Sequence, residues 1–424
     1  MSLHDNASFF DRAGRDRRTP AVRFPAVGFL IALASGFFVF VLAGAAAVAR
    51  ADDVDQQIAA IASVGPQGQG ADRARAACRE LSGHGPEVVP RLLAAMDTPN
   101  VVAANWYRAA FERVVSRELA DPRHRLPVEE FKQFARNQNH SGRARRLALT
   151  VVDRLDPTFG PTLIPTLVDD REFRDDAVAV ALKQGADAIA RGDHLAAKRA
   201  FQRAFDHAFS PDQVTAAASK LQSLGEKPSI VEHLGLITDW SVIGPFAAPG
   251  MSGFRAVFRP ETAREPLTDV TLSDNKTLRW LTAHASDAFG TVDLVKALGP
   301  IDEAVAYADA VVETPRDQPA ELRCSADDNL SVWLNGEKVF GRDMWLNGTR
   351  FDRFRTPVQL RAGRNRVLVK ICQGPHHRDP AVGNAWTFQL RFCSNDGAGV
   401  PLKRLPPAER TLRSQPSERV TSGK

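Results

Sequence analysis

The residues best equipped for chemistry crowd into GRDMWLNGTRFDRF (Gly341–Phe354), where Trp345 sits among Arg342, Asp343, Asn347, Arg350, Asp352 and Arg353. An indole offers a flat apolar face to the C–H side of a sugar ring. Carboxylate, amide and guanidinium groups match the sugar's hydroxyls. A long loop either serves function or packs on its own scaffold, so the competing expectation is that Trp345 pins the loop down. A second loop, GPHHRDP, carries His376 and His377. Two neighbouring imidazoles fall short of the ligand count a zinc ion takes. They are therefore read as contact residues, because loops on a rigid scaffold are where binding groups collect. No metal and no cofactor is expected.

Trp333 lies in SVWLNGEKVF, where Asn335-Gly336 is a strong two-residue hairpin signal. That turn pairs Leu334 with Glu337, Trp333 with Lys338, Val332 with Val339 and Ser331 with Phe340. Paired residues share a face and faces alternate. Val332, Leu334 and Val339 therefore form the core side, and Trp333 takes the other, with Lys338 along its ring. Trp333 is a secondary contact candidate, to be weighed against cover by a neighbouring segment. Trp240, Trp386 and Trp106 are read as packing residues.

Catalytic signatures are missing: no nucleophile elbow, no zincin helix, no phosphate loop and no Cys-x-x-Cys occur. Asp327-Asp328 is a carboxylate pair, but neighbours on an extended chain point apart and cannot flank one glycosidic bond. A turn role is expected for them. Their hard oxygens would suit calcium, though without the EF-hand spacing. Of the four cysteines, Cys324, Cys372 and Cys393 fall in one half of the chain. A disulfide among these three is weighed against buried free thiols.

The elements that must position these residues come in two kinds. Residues 52–225 are read as helical, with apolar residues at three- and four-residue spacing. Pro86–Met96 pairs with Asn100–Val115, and Pro161–Leu182 repeats the plan of helix, Asp169-Asp170 turn, helix. After Pro228, short apolar runs separated by Gly, Pro, Asn and Asp predict an antiparallel sandwich over 226–400. Ten strands are expected: Leu236–Ile243, Val270–Leu272, Thr277–Leu281, Ala304–Val312, Ala320–Cys324, Leu330–Leu334, Lys338–Phe340, Thr356–Leu360, Arg366–Cys372 and Trp386–Cys393. Residues 401–424 read as a basic disordered tail.

At the other terminus, Arg12, Arg15, Arg17, Arg18 and Arg23 precede an uncharged run from Ala26 to Ala49. Ala49-Arg50-Ala51 then offers a small-x-small cleavage pattern. The run also has the length to span a bilayer. Residues 1–51 are thus a signal peptide or a retained anchor, and the body is expected outside the cytoplasm, touching membrane only through 26–49. The formal charge of +5 resides at the two termini. The body lacks the clustered positive charge of a nucleic-acid groove, so no nucleic acid is expected.

Several stretches resemble known families. Pro161–Leu182 is similar to HEAT-type repeats, and ARGDHLAAKRAFQRAFDHA (Ala190–Ala208) to one tetratricopeptide hairpin, turning at Gly192-Asp193 with Ala197, Phe201 and Ala204 in its second helix. DWSVIGPF (Asp239–Phe246), AELRCSADDNLSVWLNGEKVF (Ala320–Phe340) and RAGRNRVLVKICQG (Arg361–Gly374) resemble galactose-binding-like jelly rolls, such as the sugar-binding domains of family 2 glycoside hydrolases. The whole layout is similar to exported bacterial proteins that join helical repeats to such a module. The resemblance implies an irregular α-solenoid followed by a jelly roll that contacts a glycan or another polar envelope component without catalysis. Two other readings stand beside it: a scaffold taking a protein partner on its helical repeats, and a glycan-active hydrolase with dispersed residues.

Overall fold

The computed structural model describes residues 52–263, 267–345, 348–376, 379 and 383–406. The basic segment, the apolar run 26–49, Asn347 and His377 lie outside the described residues. Among the described residues no helix is long and apolar enough to cross a membrane. The chain divides into two compact units, one ending at Phe131 and the other beginning at Lys132.

The first unit is helical: α1 (52–62), α2 (Ala71–Gly83), α3 (Val89–Ala95), α4 (Val101–Leu119) and the start of α5 (Val128–Arg136). Asn100 starts α4, accepting hydrogen bonds from Val102 N and Ala103 N at 3.1 and 3.2 Å and so satisfying two otherwise unpaired donors. Tyr107, on α4, donates its hydroxyl to Ile58 O of α1 at 2.7 Å. Leu81, Leu92, Leu93, Phe111 and Val114 close the unit's core.

The second unit opens with α6 (Gly142–Leu155), α7 (Phe159–Leu163), α8 (Arg174–Ala190), α9 (His194–His207), α10 (Pro211–Ser223) and α11 (Ile230–Leu234). Asp170 sits in the turn before α8 and accepts from Glu172 N and Phe173 N at 3.0 and 3.3 Å, while Arg145 of α6 reaches its other oxygen. Between α8 and α9, Gly192 takes the left-handed conformation and Asp193 caps α9 through Ala196 N at 2.9 Å. Ala197, Phe201 and Ala204 are buried against α8. Gly185 makes room for the Phe201 ring, whose Cε1 would lie 2.4 Å from an added Cβ.

After α11 come two antiparallel sheets. The larger holds β4 (Leu281–His284), β1 (Asp239–Ala247), β6 (Ala304–Thr314), β11 (Gly363–Gln373), β8 (Asn329–Leu334) and β9 (Glu337–Arg342), in that order, with β13 (Lys403–Leu405) also on β6. The smaller has β10 (Phe354–Leu360), β7 (Gln318–Asp327), β12 (Thr387–Cys393) and β5 (Val292–Asp293). A two-stranded ribbon, β2 (Val270–Thr271) with β3 (Thr277–Leu278), stands apart, and short helices α12 (Arg259–Thr262) and α13 (Leu294–Leu298) fill connections.

The two sheets share one core. β6 turns Ala304, Ala306, Ala308, Ala310 and Val312 inward, β8 Leu330, Val332 and Leu334, and β7 Leu322, Cys324 and Ala326. The small side chains of β6 leave space for Trp240 and Phe388, whose rings meet edge to face at 5.0 Å. Each fully buried large side chain contributes roughly 1.5–3 kcal/mol. Trp386 joins this core, as expected for a packing residue.

Four expectations need correction. The hairpin pairs Leu334 with Glu337 and Trp333 with Lys338 as read, but a bulge then sets Val332 opposite Phe340 and Ser331 opposite Gly341. A bulge inserts one unpaired residue and shifts everything beyond it. The strand expected over Leu236–Ile243 runs instead from Asp239 to Ala247, resuming at Phe246 past a register shift. Part of the supposed disordered tail is ordered, since Lys403–Leu405 pairs with Val311–Glu313. Finally, no disulfide joins Cys324, Cys372 and Cys393; all four cysteines are free and buried. Cys324 faces the shared core, while Cys372 lies on the far face of the larger sheet. Burial pushes the Cys393 thiol up to about 11, away from the reactive thiolate.

Candidate functional site

Strand directions bring the long connections to one end of the sandwich. Ala304 pairs with Gln373 and Ala247, Asn329 with Cys372, Arg342 with Leu330, and Phe354 with Cys324. The β1–β2 connection, the turn before β6, the β9–β10 loop and the β11–β12 loop therefore open together. The Asn335-Gly336 turn sits at the opposite end.

The β9–β10 loop is a strap anchored at both sides. At its start, Asn329, fully buried, donates to Asp343 Oδ1 at 3.0 Å and accepts from Met344 N at 2.7 Å. At its finish, Arg350 N donates to Ser325 Oγ at 2.8 Å. Asp352 lies between two arginines: Arg391 donates to its two oxygens at 2.7 and 2.6 Å, and Arg323 at 2.8 Å. Burial alone would raise the Asp352 carboxyl, but the bonds and charge of Arg391, then of Arg323, hold it below the usual carboxylate range. Arg391 also donates to Leu234 O and Gly397 O, both at 2.9 Å.

Trp345 is half-buried and leans on Gly374, where an added Cβ would lie 3.2 Å from Trp345 Cε3 and 2.6 Å from Asp328 Oδ2. Gly374 is a junction: its N–H donates to Asp328 Oδ2 at 2.8 Å and its carbonyl accepts from Glu303 N at 3.1 Å. Two residues further, His376 Nδ1 lies 2.7 and 2.9 Å from the Asp302 oxygens, and Asn384 Nδ2 donates to Asp302 Oδ1 at 2.6 Å. The Asp302 contact occupies Nδ1, so Nε2 is the nitrogen open to a ligand. Beneath this cluster, Gln373 Oε1 and Trp386 Nε1 are buried without a hydrogen-bond partner.

Trp345, Asp343 and His376 thus come together at the loop end. Arg342 and Arg353 stand at its side, within 6.0 and 5.5 Å of the Phe354 ring. Trp333 lies elsewhere, on the outer face of the larger sheet, with Lys338 Nζ 5.3 Å from its ring and from that of Phe254. Asp328 is buried and spent on the Gly374 amide; the peptide linking it to Asp327 is cis, unlike the extended chain on which their separation was expected. Among the described residues no group of three or more His, Cys, Asp or Glu is placed to hold a metal ion. Asp302, Asn384 and Asn329 were missed from sequence. Only Asn329 left a trace, as a polar residue heading a strongly apolar strand.

No protein-family model matches the chain, and no curated protein does. Solved structures similar to it include a family 35 carbohydrate-binding module from an environmental isolate, at 12% identity over 24% of this chain and 71% of that one, with a TM-score of 0.17. The PA14 sugar-binding domain of an RTX adhesin is 14% identical over 37% of this chain and 89% of its own, with a TM-score of 0.21. An anti-sigma factor domain-containing protein is 15% identical over 42% and 47%, also at 0.21. Likenesses this low do not bear on what the chain does.

Proposed function

We propose that this chain is an exported, non-catalytic binding protein whose sandwich, a jelly roll, contacts a glycan or another polar envelope ligand at its loop end. The helices act as an irregular HEAT- and tetratricopeptide-like solenoid that carries it. One observation supports this reading above the rest: Gly374 joins a half-exposed indole, Trp345, to the exposed Asp302–His376–Asn384 cluster. An aromatic face beside fixed donors and acceptors is the combination a polyol requires. The carboxylates of the strap are engaged elsewhere, Asp343 with Asn329 and Asp352 with two arginines, which speaks against acid–base work by them. The test is a glycan panel on the full chain. Enrichment of one glycan class, weakened about tenfold or more by Trp345→Ala, is expected; no enrichment at all would sink the reading.

The protein-scaffold alternative has one observation of its own. Leu195 of α9 is 64% exposed in a shallow groove that Lys198, Arg199, Gln202 and His207 also line, where a partner could seat. Capture of a protein partner, abolished by Leu195→Glu while glycan binding stays intact, would favour it.

A further inference from the structure

The open side of the sandwich lies between its two edge strands, β9 and β10. There Phe340 and Phe354, ring centroids 5.5 Å apart, close the shared core. Over Phe354 stand two guanidinium groups, Arg342 at 6.0 Å and Arg353 at 5.5 Å from the ring centroid. Arg353 is steadied by the strap, donating to Gly348 O at 3.1 Å and reaching Met344 Sδ at 3.7 Å. Between Glu337 and Arg361 the chain carries six Lys or Arg against three Asp or Glu. Two of those acids are engaged: Asp352 is enclosed by Arg391 and Arg323, and Asp343 is bonded to Asn329. The third, Glu337, belongs to the distant hairpin turn. Among the described residues no carboxylate pairs with Arg342, Arg350 or Arg355.

We propose that this edge selects anionic glycans, those bearing uronate or sulfate groups, with Arg342 and Arg353 as the specificity-determining pair. The proposal rests on the glycan reading above and narrows it. Guanidinium is a planar, weakly hydrated fork of donors that matches carboxylate and sulfate oxygens two at a time. Arginines spread over a solvated surface are usually diluted by acids of opposite sign. Here Asp352 is drawn into the fold, Glu337 stands at the far turn and the exposed Asp343 is held by Asn329 with Arg255 3.8 Å away. Among the described residues, Arg342, Arg350 and Arg355 thus line one rim without a carboxylate of their own, although the body between the two termini is not basic. The Phe354 ring beneath the two guanidinium groups holds them in place through its negative face. A strip one short strand long suits an oligosaccharide better than a nucleic acid, which needs a longer run of phosphate contacts.

The test uses the full chain and two probes of the same shape, oligogalacturonate and its methyl ester, by calorimetric titration. The acid is expected to bind about tenfold or more tightly than the ester, and to weaken between about 50 and 500 mM salt. In Arg342→Gln/Arg353→Gln that preference should vanish with thermal stability unchanged; Arg342→Lys should retain part of it. Equal binding of acid and ester, or a preference that survives the double substitution, overturns this inference alone. An oligonucleotide of equal charge that displaces the acid as well as unlabelled acid does also overturns it, since charge alone would then suffice. If neither oligosaccharide nor any other glycan binds, the broader glycan reading falls with it.

Discussion

On the outer face of the larger sheet, Lys370 and Glu261 are sealed beneath aromatic rings; on that of the smaller, Arg391 and Asp352 are sealed beneath a loop and the end of α11. Lys370 Nζ donates to Glu261 Oε1 at 2.7 Å and to Phe254 O at 3.4 Å, with the Tyr307 hydroxyl also on Glu261. Its side chain is 2% exposed, the same as that of Arg391. Both clusters hold a connection against a sheet, but their surroundings differ. The first sits in an apolar layer of Ile243, Phe246, Leu368 and Phe258 and fastens one connection. The second sits on a polar face and ties together the strap, α11 and the turn at Gly397. Buried charge in an apolar layer is confined to one contact set. Buried charge on a polar face can serve as a crossroads between segments far apart in sequence.

That contrast can be broken by substitution. The largest loss is expected for Asp352→Ala, which leaves Arg391 buried and unpaired; such removals cost about 3–5 kcal/mol, read by chemical denaturation. A loss under about 1 kcal/mol would place the pair among ordinary surface bridges. The pH dependence has a definite sign. Because the folded Asp352 carboxyl lies below its unfolded value of about 3.9, its contribution is complete above that pH and is lost as pH falls through the lower folded value. The stability gap between wild type and Asp352→Asn should therefore close in strong acid.

Glu261→Ala should cost less, roughly 2–3 kcal/mol, because a stranded lysine can shed its proton and a stranded arginine cannot. Parallel behaviour of the two variants would erase the distinction between the faces. Asn329→Ala removes two hydrogen bonds from the strap's first anchor, for about 1–3 kcal/mol, and should red-shift Trp345 emission as the indole lifts from Gly374. At the small end, Glu313→Gln breaks the half-exposed pair with Arg364 and should change stability by under about 1 kcal/mol. It serves as the control for charge removal alone.

The strands were legible because their signals are local. Alternation in SVWLN and VLVKIC, and the Asn335-Gly336 turn, fix faces within a few residues. β13 was not legible: Lys403-Arg404-Leu405 has one buried residue, and the side-chain partners of Lys403 and Arg404, namely Glu313, Val231 and Leu236, are remote in sequence. The bulge after Trp333 left no mark either, since neither Val339 nor Lys338 is unusual in a regular strand. For the site, the loops could be picked out by composition, but their anchors could not. Asn329 meets Asp343 and Met344 across 14 and 15 residues, and Asp302 meets His376 across 74. Asp352 drew notice as a ligand-binding polar group, yet its carboxylate is consumed by Arg391 and Arg323. Long-range polar pairing has no period, and a sequence read by period passes over it.

The doubly anchored strap makes the sandwich a natural display scaffold. With Asn329 gripping one side and Arg391 and Arg323 the other, the chain between Trp345 and Gly348 can be lengthened without touching either grip. Lengthening a closed loop costs little, about 0.6 kcal/mol for each doubling. A foreign peptide spliced there would be carried by a body that keeps its own strand register.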